Sequence, residues 1–254
     1  MRRESTWARW LPPAITLVVG AVAWEIAGRH TSAAFLSTFS ATIARLYTLT
    51  VSGEFVTALA QSLLLFATGL LVAIVIAIPM GLLLARVRVL RVALETYIMA
   101  LYATPMAALV PFILSMMGFG FAPKVVVVYL FAVFPVLYNT IEGARSVKPE
   151  LIEVARSFRS SEWRLWRDVM IPYTLPFMLT GVRQGIGRAL VGMVVAEFFL
   201  SASGIGRLII VSERDFDTAG VLAAIIVIAV LGTLLMGLGR MLEARFAAWR
   251  GIAR

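Results

Sequence analysis

Cysteine is absent from this 254-residue chain and histidine occurs once, at His30. The first absence excludes disulfides and thiolate chemistry. The second excludes His-based metal clusters and zinc sites of the HExxH kind. Lysine occurs twice, at Lys124 and Lys148, and neither ends a GxxxxGK[ST] phosphate loop. No paired carboxylates and no nucleophile–base arrangement stand out, which disfavours an enzyme. Charge as a whole is scarce. Charged residues make up 15% of the chain, where a soluble domain carries about 25%. Hydrophobic residues make up 61%, which places the chain among membrane proteins.

The apolar residues are gathered in runs. A bilayer-spanning helix needs about 20 of them. Residues 55–85, 96–122, 125–141 and 218–239 carry no charge at all. Residues 169–199 carry only Arg183, Arg188 and Glu197. Residues 11–27 form a weaker candidate that holds Pro12, Pro13 and Glu25. Ala21-Val22-Ala23 resembles a signal-peptide cleavage site, but Trp24 and Glu25 follow at once and five more runs come after. The runs are too long for barrel strands, so the expectation is an all-α membrane protein of about six transmembrane helices. Pro79, Pro105, Pro111 and Pro135 punctuate the spans. There is no soluble domain, no low-complexity linker and no convincing internal repeat. The chain reads as one domain over 1–254, with core spans over about 58–240.

The net charge of +9 invites a nucleic-acid reading, and the distribution of charge argues against it. With a cytoplasmic N-terminus, the inner segments hold 16 of the 23 Lys and Arg residues. They are Arg2, Arg3 and Arg9, then Arg86, Arg88 and Arg91, then Arg145 to Arg167, then Arg240 to Arg254. Five fall outside: Arg29, Arg45, Lys124, Arg207 and Arg214. This is the positive-inside asymmetry, and it puts both termini in the cytoplasm. The partner it implies is the bilayer rather than a nucleic acid.

One inner segment, over about 143–174, is long and charged. Leu151, Val154, Ala155 and Phe158 recur at helical spacing and form an apolar stripe. Pro149 suits a first helical position, and Glu150 and Glu153 suit the positive end of that helix. Ser160 or Ser161 can cap a second helix that carries Glu162, Trp163, Trp166 and Met170, which Pro172 and Pro176 then end. The segment therefore reads as two short helices with a sharp joint near Arg159. On amphipathicity alone the favoured reading is an interfacial helix pair lying on anionic headgroups.

Glu153-Val154-Ala155, Arg159, Val169 and Ile171-Pro172 resemble the EAA loop of ABC importer permeases, in register over all 20 positions. Arg159 stands where the family has glycine. Trp24-Glu25, NTIEGARSVKP at 139–149 and GRALVGMVVAEFFLSASGIG at 187–206 are similar to the sulfonate, nitrate and taurine branch of these permeases. The resemblance implies a Type I importer fold in the bacterial inner membrane. It also implies a dimer of permeases, cytoplasmic ATPase subunits that carry ATP and Mg, and an extracytoplasmic substrate-binding protein. It makes Glu153, Val154, Ala155, Arg156, Ser157, Phe158 and Arg159 the residues that couple to the ATPase.

The fifth span carries a stripe of small residues, Gly181, Gly185, Ala189, Gly192 and Ala196. Such a stripe suits close helix packing, within one subunit or across a dimer. Arg183, Arg188 and Glu197 are candidates for the pathway, since charges inside a span usually face a cavity or a partner. Arg188 either faces the cavity and favours an anionic solute, or pairs at an interface. Glu197, near the outer end, would snorkel or meet the binding protein. Gly204 and Gly206 suggest a tight turn. The rival reading is an ion-coupled secondary transporter, which needs neither an EAA loop nor an ATPase. An exporter is disfavoured by the same loop.

Overall fold

The structure is a computed structural model that describes residues 6–200 and 203–247. Arg2, Arg3, Arg250 and Arg254 of the charge asymmetry lie outside the described residues, as do Ser201 and Ala202 of the 187–206 run. Eleven α-helices follow one another in the described residues: α1 (Thr6–His30), α2 (Phe39–Val51), α3 (Glu54–Arg86), α4 (Arg88–Ala103), α5 (Val110–Met117), α6 (Phe121–Arg145), α7 (Pro149–Ser157), α8 (Glu162–Leu165), α9 (Ile171–Leu200), α10 (Ile205–Arg214) and α11 (Thr218–Ala247). Four are long and apolar enough to cross a membrane, within α1, α3, α6 and α11. The helix α9 has 30 residues but carries three charges. The bent pair α4–α5, counted as one span, makes a fifth, one fewer than the expected six, and α9 with its charges is not among the five.

The run 96–122 is not one straight span. α4 and α5 meet at a 90° bend. Thr104 precedes Pro105 and is extended, at φ −70° and ψ 135°, because the proline ring excludes the helical conformation before it. A 3-10 turn over Met106–Leu109 follows, and Pro111 sits in the first turn of α5. The next helix also starts earlier than expected. Lys124 belongs to α6 and is 3% exposed, so it is not an outer-loop residue.

The contacts divide the chain into two units. The larger, residues 61–202 and 230–254, is built on α6 packed antiparallel against α9. The stripe of small residues explains the fit. A Cβ on Gly181 would lie 3.0 Å from the Pro135 carbonyl oxygen and 2.9 Å from the Asn139 Cβ. One on Gly192 would lie 2.9 Å from the Phe131 Cβ. Ala189 and Ala196 are wholly buried. The stripe therefore packs within the subunit. Gly69 and Gly81 of α3 meet Val128 and Thr140 of α6 in the same way.

The smaller unit, residues 1–60 and 203–229, is held by polar contacts. The Trp24 indole donates to the Ser37 carbonyl at 2.9 Å, and its ring meets Phe39 edge-on at 5.5 Å. The Glu25 carboxylate accepts from the Ser40 amide at 3.0 Å, at the positive start of α2. Trp24-Glu25 is thus a clasp between α1 and α2, and α1 runs through Ala23 without a break. Gly204, at φ +85°, turns the chain into α10, whose Ile205 and Ile209 are buried with Ala58 and Ala224. The Arg45 guanidinium meets Asp217 at 2.6 Å, and Asp217 caps α11 through the Gly220 amide.

Gly181→Leu is expected to destabilise the protein by about 3 kcal/mol, since the new side chain meets backbone that cannot move aside. Gly237→Leu, where a Cβ would meet nothing within 4 Å, should unfold with the wild type. Thermal unfolding of both variants in one detergent, followed by size-exclusion chromatography, checks the contrast.

Candidate functional site

The loop between α6 and α9 folds as two helices with a joint, as its spacing suggests. Pro149 occupies the first turn of α7, and Ser161 caps α8 by accepting from the Arg164 amide. Between them Arg159 adopts φ +52°. Its amide donates to the Arg156 carbonyl at 2.8 Å, and the Ser160 amide donates to the Ala155 carbonyl at 3.1 Å. These two bonds make a Schellman closure, and the left-handed residue in it is usually glycine. An arginine there costs about 1 kcal/mol in backbone strain. The joint keeps its geometry in spite of the substitution, because both capping bonds hold it.

No residue of α7 is buried. Leu151 and Val154 are exposed, and Phe158 is 82% exposed. Ala155 alone of the stripe is half-buried. Glu153, Arg156 and Ser157 stand exposed around it, and the Ser157 hydroxyl donates to the Glu153 carbonyl at 3.0 Å. The second helix presents Trp163 outward and buries Leu165 instead.

The second helix does not end at Pro172 and Pro176. It passes through a π turn over Trp166–Met170 into α9, with the Ile171 amide donating to the Trp166 carbonyl five residues back. The wider turn gives room to a proline ring that would otherwise strike the preceding turn. The loop is also tied to α3: Arg86 meets Glu162 at 2.6 Å and lies over the Trp166 ring. Both partners are largely exposed, so the pair contributes about 1 kcal/mol at most. It orients the loop more than it stabilises it.

The three charges of α9 have three different settings. Arg183 is paired: its Nε lies 2.6 Å from Glu243 of α11, a short contact not aligned as a hydrogen bond. Glu243 also accepts from the Thr180 hydroxyl at 2.6 Å. Glu197 is 1% exposed, accepts from the Ser62 hydroxyl of α3 at 2.6 Å, and lies in the field of buried Lys124. It neither snorkels nor offers itself to another protein, because three helices enclose it. Sequence reasoning missed this buried pair, having assigned Lys124 to a loop. An isolated cation at the edge of an apolar run was the available signal.

Arg188 alone of the three opens on space. It lines a cleft of about 470 Å³ with Tyr102, Ala103, Thr104, Pro105, Met106, Leu130, Phe131 and Phe134. It is exposed there and forms no ion pair or hydrogen bond among the described residues. The structure thus separates Arg183, Arg188 and Glu197 and brings none of them together.

Arg159→Gly should relieve the strain while keeping both capping bonds. Hydrogen exchange at the Ser160 amide is expected to slow about fivefold, for about 1 kcal/mol. Arg183→Leu and Glu243→Leu should each lower stability, and the double variant should lose less than their sum. A coupling of at least about 0.5 kcal/mol in that thermal-unfolding cycle is the check.

Comparison with known proteins agrees with this architecture. The family described as "Binding-protein-dependent transport system inner membrane component" matches residues 73–248. A putative aliphatic sulfonates transport permease, SsuC of Bacillus subtilis, is 31% identical over 98% of this chain and 90% of its own length. A riboflavin transport system permease, RibX of Chloroflexus aurantiacus, is 36% identical over 65% of this chain. The match spans 62% of RibX, less than two thirds of its length. The MetNI methionine ABC transporter, solved in inward-facing conformations, superposes with a TM-score of 0.66 over 76% of this chain and 95% of its own. At 16% identity that likeness shows the fold alone. The chain belongs to the binding-protein-dependent transport system inner membrane components, the permeases of ABC importers.

Proposed function

We propose that this permease moves a small anionic organic solute, sulfonate-like in its charged group, and is driven through α7 by a cytoplasmic ATPase. The observation that carries the reading is the bare apolar stripe of α7. Leu151, Val154 and Phe158 face outward on a helix too short to be stable alone, yet fixed at both ends. An amphipathic helix of this kind lays its apolar face into a groove of a partner. Glu153, Val154, Ala155, Arg156, Ser157, Phe158 and Arg159 form the docking segment, with Glu153 and the arginines as its polar rim. ATP and Mg belong to the partner, and this chain performs no hydrolysis itself.

The α8–π–α9 continuity supports transmission. A force on α7 passes through the Schellman joint into a helix that carries Arg188. The anion preference rests on Arg188, the one charged residue of the cleft lining among the described residues. The remaining parts follow the family: an extracytoplasmic binding protein delivers the solute, two copies of the 1–254 permease domain pair, and both termini face the cytoplasm of a bacterial inner membrane. The SsuC likeness supports a sulfonate head group on the solute.

Purification of the tagged chain in mild detergent, with mass spectrometry of what accompanies it, tests the reading. An ATPase with a Walker A loop should co-purify, and its recovery should fall at least about tenfold on Glu153→Arg with Phe158→Asp, a loss of 1.4 kcal/mol or more. Recovery of a folded chain with no ATPase, transporting in liposomes without ATP, would sink it in favour of an ion-coupled transporter.

A further inference from the structure

The cleft beside Arg188 has aromatic walls. Tyr102 and Phe134 hold their rings 5.7 Å apart at a 43° tilt, and Phe131 lines the same space. Phe131 is seated there because Gly192 lets α6 come close: a Cβ on Gly192 would strike its ring at 3.0 Å. Leu130, Pro105 and Met106 complete an apolar lining. The bend at Thr104-Pro105 forms part of the wall. Irregular backbone at membrane depth is tolerated where it lines a cavity or is buried in protein.

The chemistry of this lining restricts the solute. Its volume of about 470 Å³ is in the range of sites that enclose ring-bearing ligands. Nitrate or taurine would leave most of it unfilled. Among the described residues the lining holds no Asp or Glu, so an ammonium group would lose its water there without a carboxylate to replace it. That disfavours a zwitterion. The Arg188 guanidinium can take one oxyanion through two parallel N–H donors. The rings of Tyr102, Phe131 and Phe134 offer faces and edges to a flat apolar body.

We propose that the cleft receives an aromatic monoanion, with its sulfonate or carboxylate on Arg188 and its ring against Tyr102, Phe131 and Phe134. This rests on the reading of the cleft as part of the solute pathway and goes beyond it by fixing the body of the solute as well as its charge.

Equilibrium binding to the purified permease–ATPase complex in lipid nanodiscs separates the two. The probes are benzenesulfonate, ethanesulfonate and benzyl alcohol. Benzenesulfonate should bind about tenfold more tightly than either of the others, the size of effect that aromatic contacts supply. Arg188→Gln should bring it down to the level of benzyl alcohol, while Arg188→Lys should keep the preference for anions. Tyr102→Ser with Phe131→Leu should bring it down to the level of ethanesulfonate. Equal binding of the two sulfonates, both lost on Arg188→Gln, overturns the aromatic assignment and leaves the anion pathway standing. Benzenesulfonate binding indifferent to Arg188→Gln, or absent at millimolar concentration, overturns both.

Discussion

The close approach of α6 and α9 is the constraint on which the larger unit depends. In a bilayer the lipid tails are as apolar as the side chains, so burial alone does not drive helices together. Contact area must come from backbones that fit. Gly181, Gly185 and Gly192 let α6 lie within van der Waals distance of α9 along several turns. The same stripe fixes where everything carried by α9 is placed. The α7–α8 loop hangs at its start, Arg188 stands in its middle, and Glu197 lies near its end. Pro135 joins the fit: its carbonyl lies where a Gly181 side chain would be, and it also accepts from the Asn139 side-chain Nδ2 at 2.8 Å.

Charges inside the unit follow the same economy. A charge withdrawn from water is costly unless it is paired, and losing one partner of such a pair costs more than the pair contributes. Glu197 has Ser62 and Lys124, and Arg183 has Glu243. These pairs tie α3, α6 and α11 to α9, and they fix register where apolar contacts would allow sliding. Arg188 departs from the pattern. An unpaired cation persists at membrane depth where water or a ligand reaches it. It stands exposed beside the aromatic cleft, whose wall includes the helix break at Pro105.

The loop shows how a short helix is kept rigid without a core of its own. Proline starts α7, a Schellman closure ends it, and a serine cap starts α8 at once. None of these devices needs buried area. The apolar face of α7 is therefore left uncovered. The π turn lets α8 run into α9 across Pro172 without a break in the helix.

Much of this was legible in the sequence because it depends on local chemistry. The apolar runs gave the helices, since a bilayer accepts little else. The spacing of Leu151, Val154 and Phe158 gave the amphipathic loop, and the glycine stripe announced close packing. The position of Arg159 announced a strained joint. Tertiary structure decided what depends on distant neighbours. That Arg183 pairs with Glu243, and Glu197 with Ser62 and Lys124, could not be read from α9, because those partners lie far away along the chain. The clasp role of Trp24-Glu25 needed the start of α2 beside it. The 90° turn at Pro105 and the smooth passage at Pro172 have the same residue as their local cause. The chain breaks at the first, where Thr104 is extended, and stays helical at the second, where a π turn makes room for the ring.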